Sequence, residues 1–335
     1  MEEDRQDVRS EINIMPPSSF PTTASDVFEM GKYKAALRRV EASATLPAAA
    51  CAPADLPPKA LLIAFPADAP GEFPVLVFLH GYLLYNSFYT QLIQHVSSHG
   101  FVVVAPQLYT VAGPDTTDEI NSAAATTNWL PRGLAGLLPP QVRPNLAKLA
   151  VAGHSRGGKA AFALALGKSP TPLALPFSAL LGIDPVDGMD KGKQTPPPVL
   201  TYVPRSFDLG MPVLVVGSGL GEVRKNPLFP ACAPKGVNHA DFFAECRPPA
   251  CYFVAEKYGH LDMLDDETAG LRGKATYCLC KNGRAREPMR RFVAGVVVAF
   301  LRAHLEGDDS SLMGLRDGRE ATPVELQKDG KWRIS

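Results

Sequence analysis

Short apolar runs recur along the chain at residues 60–65, 75–79, 101–105, 149–152, 179–183, 213–216 and 251–255. Several are apolar throughout rather than alternating, the pattern of strands buried on both faces of a parallel sheet. Helix-like segments fall between them at 87–98, 159–166, 240–246 and 288–304, the last opening on Pro288, which the first turn of a helix tolerates. This alternation predicts an α/β architecture: a mostly parallel, doubly wound sheet flanked by helices. Residues 31–305 read as one such domain with no internal repeat. Proline- and glycine-rich stretches at 106–148 and 187–212 interrupt the pattern and are expected to form lid-like loop insertions at the C-terminal edge of the sheet. Residues 1–30 read as a flexible polar lead-in and residues 306–335 as a polar surface tail.

Composition narrows the functional classes. The 335 residues carry 34 Lys plus Arg against 34 Asp plus Glu, and this zero formal charge argues against a nucleic-acid partner, which draws on a basic excess. A hydrophobic content of 46% suits a globular enzyme with a large core. The longest apolar candidate, 292–301, is bracketed by Arg290, Arg291 and Arg302 and is too short for a membrane span. The acidic start Met1-Glu2-Glu3-Asp4 resembles neither a secretory signal nor an Arg- and Ser-rich transit peptide, which leaves an intracellular protein as the default expectation. Of the six cysteines, Cys278 and Cys280 are too tightly spaced for a zinc site. Free buried thiols are expected, with a disulfide among Cys232, Cys246 and Cys251 as the alternative.

The chemistry concentrates at Gly153-His154-Ser155-Arg156-Gly157, a G-x-S-x-G pentapeptide entered by an apolar run and left by an alanine-rich one. A strand–turn–helix of this kind exposes a strained serine at a helix N-terminus, and the flanking glycines admit the close backbone approach. Ser155 is therefore the candidate nucleophile. A serine hydroxyl needs a base, and on such a scaffold the partners follow in the order serine, acid, histidine. That order removes His80, His95, His99 and His154. His260, in a short loop after the strand-like run 251–255, is the favoured base; His239 opens a helical segment, and His304 lies on the C-terminal helix. Asp184, at the end of the run 179–183 and followed by Pro185, is one candidate acid and Glu222 another, with Asp187 and Asp208 as weaker contenders. The oxyanion hole is expected from the backbone N–H of Arg156 and that of Tyr82 after His80-Gly81, with Leu83 as the fallback donor. Tyr82 and Leu83 are also candidates for the entrance to the substrate site.

Phe78-Leu79-His80-Gly81-Tyr82, Gly153–Gly158, Gly182-Ile183-Asp184-Pro185, the stretch 236–243 and the stretch 258–266 together resemble the chlorophyllase family of plant esterases. The resemblance extends over most of the chain between about residues 60 and 300. It implies an α/β-hydrolase fold with Ser155 as nucleophile, Asp184 as acid and His260 as base, and so selects Asp184 over Glu222. It also implies chlorophyll or a related phytylated tetrapyrrole as substrate, with chlorophyllide and phytol as products. No metal or organic cofactor of the protein is implied, since the magnesium belongs to the substrate. Work beside membranes follows too, by peripheral contact in the chloroplast or at another plant endomembrane. On that basis Trp129, Leu130, Leu134, Leu137 and Leu138 are expected to form an apolar lid or membrane-facing patch that binds the substrate. Two other readings of the same residues are a general carboxylesterase or lipase and a non-catalytic binding protein on a hydrolase fold.

Overall fold

A computed structural model describes residues 12–14, 27–42, 56–327 and 331–333. The strands are β1 (Ile12–Ile14), β2 (Ala35–Val40), β3 (Leu61–Pro66), β4 (Gly71–Leu79), β5 (Val102–Pro106), β6 (Val142–His154), β7 (Ala179–Ile183), β8 (Val213–Ser218), β9 (Ala250–Ala255) and β10 (Lys331–Arg333). The helices are α1 (Thr90–Ser98), α2 (Thr117–Gly133), α3 (Arg156–Ala165), α4 (His239–Glu245), α5 (Gly270–Ala275), α6 (Glu287–Leu301) and α7 (Ser310–Arg316). Among the described residues these ten strands form one sheet in the order β1-β2-β3-β5-β4-β6-β7-β8-β9-β10. From β5 to β9 every neighbouring pair is parallel, while β1, β2, β3 and β10 are antiparallel to their neighbours at the two edges.

The apolar runs are continuous because each strand residue buries itself on one face or the other. On β4, Leu76 and Phe78 face a layer that includes α1 and α6, while Val75, Val77 and Leu79 face a layer that includes α2 and α3. Helix α6 contributes Phe292, Val296, Val297 and Phe300 to the first layer, all almost fully buried. The sheet thus separates two cores, and the C-terminal ends of β4, β6, β7, β8 and β9 converge at one rim.

Three expectations change. Residues 117–133 form a helix rather than a loop. Pro131 and the run of Thr, Ser and Asn residues hid it, yet the Thr126 and Thr127 hydroxyls simply donate to the carbonyls of Ser122 and Ala123 at 2.8 and 2.9 Å. Consequently Trp129, Leu130, Leu134 and Leu138 do not form a lid. They are buried in the second core, and Leu137 is half-buried against it. The indole of Trp129 lies over Gly133, where an added Cβ would fall 2.0 Å from the ring.

The tail is not a loose appendage either. Leu312, Leu315 and Val324 are buried in the first core, and β10 pairs with β9. At the other end, Val27 and Phe28 are buried, with Phe28 stacked on Phe292 at 6.2 Å; most of the lead-in 1–30 lies outside the described residues.

The cysteines pair differently from expectation. Cys232 forms a disulfide with Cys280, whereas Cys246 and Cys251 are buried free thiols and Cys278 is an exposed one. Cys246 and Cys251 belong to the two different cores, on opposite faces of the sheet, so they cannot meet. Cys51 lies outside the described residues.

The burial of α2 has a measurable consequence. Trp129→Ala is expected to lower unfolding stability by about 3–5 kcal/mol in denaturant titrations, the cost of an aromatic cavity in a core. A lid role would leave stability nearly unchanged.

Candidate active site

The turn from β6 into α3 sets the site. Ser155 has φ 57° and ψ −123°, a backbone conformation that costs a non-glycine residue energy. Surrounding contacts hold it there: Ser155 N–H donates to the Ile183 carbonyl at 3.0 Å, and its own carbonyl accepts from Lys159 and Val186 N–H, each at 3.1 Å. Only glycine fits beside it. A Cβ at Gly157 would lie 2.3 Å from the Leu79 carbonyl oxygen, and one at Gly153 would lie 2.1 Å from the Gly157 carbonyl oxygen.

Ser155, Asp184 and His260 meet at the rim. The His260 Nε2 lies 2.8 Å from Ser155 Oγ, and its Nδ1 lies 2.7 Å from Asp184 Oδ2. Asp184 is completely buried, which pushes its carboxyl up. The hydrogen bond and charge of His260, the charge of His239 and the Ser218 hydroxyl outweigh that and hold it down at about 2. The Ser218 N–H also donates to Oδ1 at 3.2 Å. A carboxylate so held fixes the imidazole tautomer that leaves Nε2 free to accept the serine proton.

The competing candidates fall elsewhere. Glu222 is exposed and accepts from the Asn238 side chain at 2.8 Å, Asp208 pairs with Arg247 at 2.7 Å on the surface, and Asp187 pairs with Lys159 at 3.0 Å in the interior. His304 lies in the turn that follows α6, with its ring against Phe300. His239 does approach the site, but from behind the acid. Its Nε2 lies 3.8 Å from Asp184 Oδ1, and its Nδ1 is 2.7 Å from the Tyr252 hydroxyl. A Cβ at Gly217 would strike its ring at 2.3 Å, so the glycine gives His239 its place.

The loop after β4 is fixed from several sides. The Gly81 carbonyl accepts from the Tyr109 hydroxyl at 3.1 Å and from His80 Nδ1 at 2.9 Å, and the Gly81 N–H donates to the Tyr89 hydroxyl at 3.1 Å. In a planar trans peptide the N–H of the next residue points opposite to that carbonyl, so this grip also aims the Tyr82 N–H. The loop adjoins the serine: a Cβ at Gly81 would sit 3.2 Å from Ser155 Cβ. Leu83, at φ 56°, is exposed beside it.

His154, which pairing order removes as the base, ties the two loops together. It accepts from the Tyr89 hydroxyl at Nδ1 (2.7 Å) and donates from Nε2 to the His260 carbonyl at 2.8 Å. Its ring lies 4.7 Å from that of His260. Nothing in the local sequence signals this role, because Tyr89 and His260 reach His154 only through the fold.

Beside the serine opens a cavity of about 400 Å³ whose walls include Tyr82, Arg156, Val186, Met189, Thr195 and Cys232. Arg156 crosses its edge: Nε donates to Glu119 Oε2 at 2.9 Å, and Nη2 donates to Glu119 Oε1 and to the Asp115 carbonyl. Its guanidinium lies 5.1 Å from the centre of the Tyr82 ring. Among the described residues no cluster of His, Cys, Asp and Glu is arranged to hold a metal ion.

The family model for chlorophyllase matches residues 23–332. The chain belongs to the chlorophyllase family. It is 59% identical to chlorophyllase-2 of Arabidopsis thaliana over 313 residues, 92% of this chain and 98% of the relative. It is 44% identical to chlorophyllase-1 of the same plant over 272 residues, covering 81% and 83% of the two chains. The match to chlorophyllase-1, chloroplastic, of Citrus sinensis is also 44%, over 274 residues and 81% and 80% of the two chains. In this member of the family the Arg156–Glu119 bridge depends on α2, the helix that the hydropathy pattern conceals.

The buried imidazoles carry a pH signature. His80 and His154 each donate to a carbonyl through one nitrogen and accept at the other, so neither can gain a proton without losing a bond. Burial lowers His80 to about 4 and His154 to about 3. Since their folded values lie below the unfolded one, the unfolded chain binds more protons under about pH 6.5, and stability is lost as pH falls from there toward the folded values. Each contributes a slope of up to about 1.4 kcal/mol per pH unit. Denaturant unfolding between pH 7 and 4.5 is expected to show this decline, and His80→Gln is expected to flatten it.

Proposed function

We propose that this protein hydrolyses the phytyl ester of chlorophyll to chlorophyllide and phytol, as a serine esterase on an α/β-hydrolase fold. The observation that carries this reading is the line from Ser155 Oγ through His260 to the buried Asp184, opening on a cavity in a chain of the chlorophyllase family. The mostly parallel sheet and the strand–turn–helix at Ser155 support the fold assignment.

In the first stage Ser155 Oγ attacks the ester carbonyl while His260 Nε2 takes its proton, and Asp184 stabilises the imidazolium. The carbonyl oxygen becomes an oxyanion, which the backbone N–H groups of Arg156 and Tyr82 receive. The first lies at the positive end of α3, and the second is aimed by the grip on the Gly81 carbonyl. The intermediate collapses: the carbon–oxygen bond to phytol breaks, His260 returns its proton to the departing oxygen, and a chlorophyllide acyl-enzyme remains. Water, deprotonated by the same imidazole, attacks the acyl carbon, and the second collapse restores Ser155 and releases the acid.

The cavity takes the ester end of the substrate. Its volume falls in the range that encloses a drug-sized molecule, and chlorophyll is larger, so part of the macrocycle or of the hydrocarbon chain extends over the rim. Tyr82, nearly half exposed with its ring against Arg156, stands where that part passes. The Citrus relatives named chloroplastic support the chloroplast as the site of action.

The test is chlorophyllide release from detergent-solubilised chlorophyll. Ser155→Ala is expected to reduce turnover by at least about 1,000-fold with an unchanged melting temperature. Retained turnover in that variant, or wild-type hydrolysis of p-nitrophenyl esters without hydrolysis of chlorophyll, contradicts the reading.

A further inference from the structure

We propose that the two segments joined by the Cys232–Cys280 disulfide form a docking surface for an anionic lipid bilayer at the mouth of the Ser155 cavity. The inference rests on the reading above only in that a long hydrocarbon ester has to come from a lipid phase; the surface itself is argued from charge and exposure.

The first segment, 223–235, carries Arg224, Lys225 and Lys235 and no Asp or Glu. The second, 269–284, carries Arg272, Lys274, Lys281 and Arg284, again with no acid. The chain as a whole balances 34 basic against 34 acidic residues, so this is a local asymmetry rather than a general one. Glu222, Asp266, Glu267 and Glu287 stand just outside the segments, with Asp266 paired to Arg290 and Glu287 to Arg291. All the basic side chains except Arg272 are well exposed.

Between these cations stand large apolar side chains that contact water. Leu228 is 88% exposed, Phe229 56%, Leu271 88% and Leu279 54%. Scattered surface leucines need no explanation, but this group lies on two segments that the fold holds together. Besides the disulfide, Lys225 Nζ donates to the Tyr277 carbonyl at 2.5 Å, and Tyr277 lies under the guanidinium of Arg286, 3.7 Å from its ring centre.

The surface is continuous with the cavity. Ala231, Cys232 and Pro234 of the first segment line it, together with Ala112 and Gly113. Arg272 of the second segment donates to the Thr110 carbonyl, next to Val111, which is 76% exposed. Apolar tips that enter the acyl boundary and cations that meet the headgroups are the two components of interfacial binding. Bound in this way, the protein opens its cavity toward the bilayer, and the hydrocarbon part of an ester reaches Ser155 without crossing water. Among the described residues no helix is long and apolar enough to cross a membrane, and the proposed contact is made by these surface side chains.

The experiment uses the full chain and vesicle flotation, with vesicles of phosphatidylcholine alone or with about 30% phosphatidylglycerol. Wild-type protein is expected to float with the anionic vesicles at least about tenfold more than with the neutral ones, and to be released by about 0.5 M salt. The double variant Leu228→Asp/Phe229→Asp and the charge variant Arg224→Glu/Lys274→Glu are each expected to lose about tenfold in binding. Both are expected to keep hydrolysis of a water-soluble p-nitrophenyl ester within about twofold, which reports an intact fold and site. Val203→Asp, an exposed apolar position outside both segments, serves as the control and is expected to bind as wild type. Equal flotation of wild type and both variants, or equal binding to neutral and anionic vesicles, overturns the proposal. So does a concentration-dependent dimer that the same substitutions dissociate without any vesicle binding, which would make the surface a self-association face. Absence of hydrolysis in wild-type protein that still floats would overturn the esterase reading and leave the docking surface standing.

Discussion

The site depends on a backbone conformation that the serine itself does not favour. Ser155 sits at positive φ because β6 must turn into α3 without spacing, bringing the Gly157 backbone against the Leu79 carbonyl. Such strain persists only where the surroundings over-determine it. Here the neighbouring strand supplies that constraint, since the Ser155 N–H is bonded to the end of β7 and its carbonyl to the residue that follows Pro185. The same end of β7 places Asp184, also at positive φ, beneath the imidazole. Ser155 and Asp184 are therefore positioned by one set of parallel strand ends, and His260 arrives from the end of β9 a short loop away.

Polar groups around this turn are buried only in company. Asp184 accepts from His260 and Ser218 and lies near His239, and so retains its charge in the interior. The path from the Gly81 N–H through the Tyr89 hydroxyl and His154 to the His260 carbonyl joins the loop after β4 to the loop after β9. Every N–H and O–H along the path is engaged, which is the condition under which a buried polar network rigidifies rather than destabilises. A shift in one loop is thereby felt at the other, on the opposite side of the serine.

Much of this was legible in the order of residues, and what was not has identifiable causes. The parallel strands of the centre were visible because burial on two faces leaves no polar positions in runs such as 101–105 and 213–216. The serine turn was visible because steric exclusion dictates glycine at fixed offsets, and His260 because it closely follows the last strand-like run. Asp184 and Glu222 could not be separated by position: both follow strands, and only the third dimension sends one inward and the other to solvent. Helix α2 is hidden because its buried face mixes Glu119, alanines and threonines with only Ile120, Trp129 and Leu130 as large apolar residues, and because Pro131 sits near its end. That error carried Trp129 and Leu134 from the core to an imagined lid. Strand β2, second from the edge of the sheet, is hidden for a related reason: only its first three residues are buried, and Arg38 and Arg39 break the apolar pattern after them. The disulfide was beyond sequence reasoning, since partners 48 residues apart are brought together only by the completed fold.

Four residues after the serine, on the inward side of α3, Lys159 meets Asp187 with both side chains entirely removed from solvent. Asp187 also accepts from the N–H groups of Val199 and Leu200, and Lys159 donates to the hydroxyl of Thr195, so the pair holds the cavity wall at Thr195. Loss of either partner strands an uncompensated ion in the interior, whereas replacement of both by well-fitted apolar groups can be neutral. Evolutionary change at 159 and 187 is therefore constrained to occur in tandem: the single-step intermediates are the unfit ones, and a lineage that abandons the cation must abandon the anion with it.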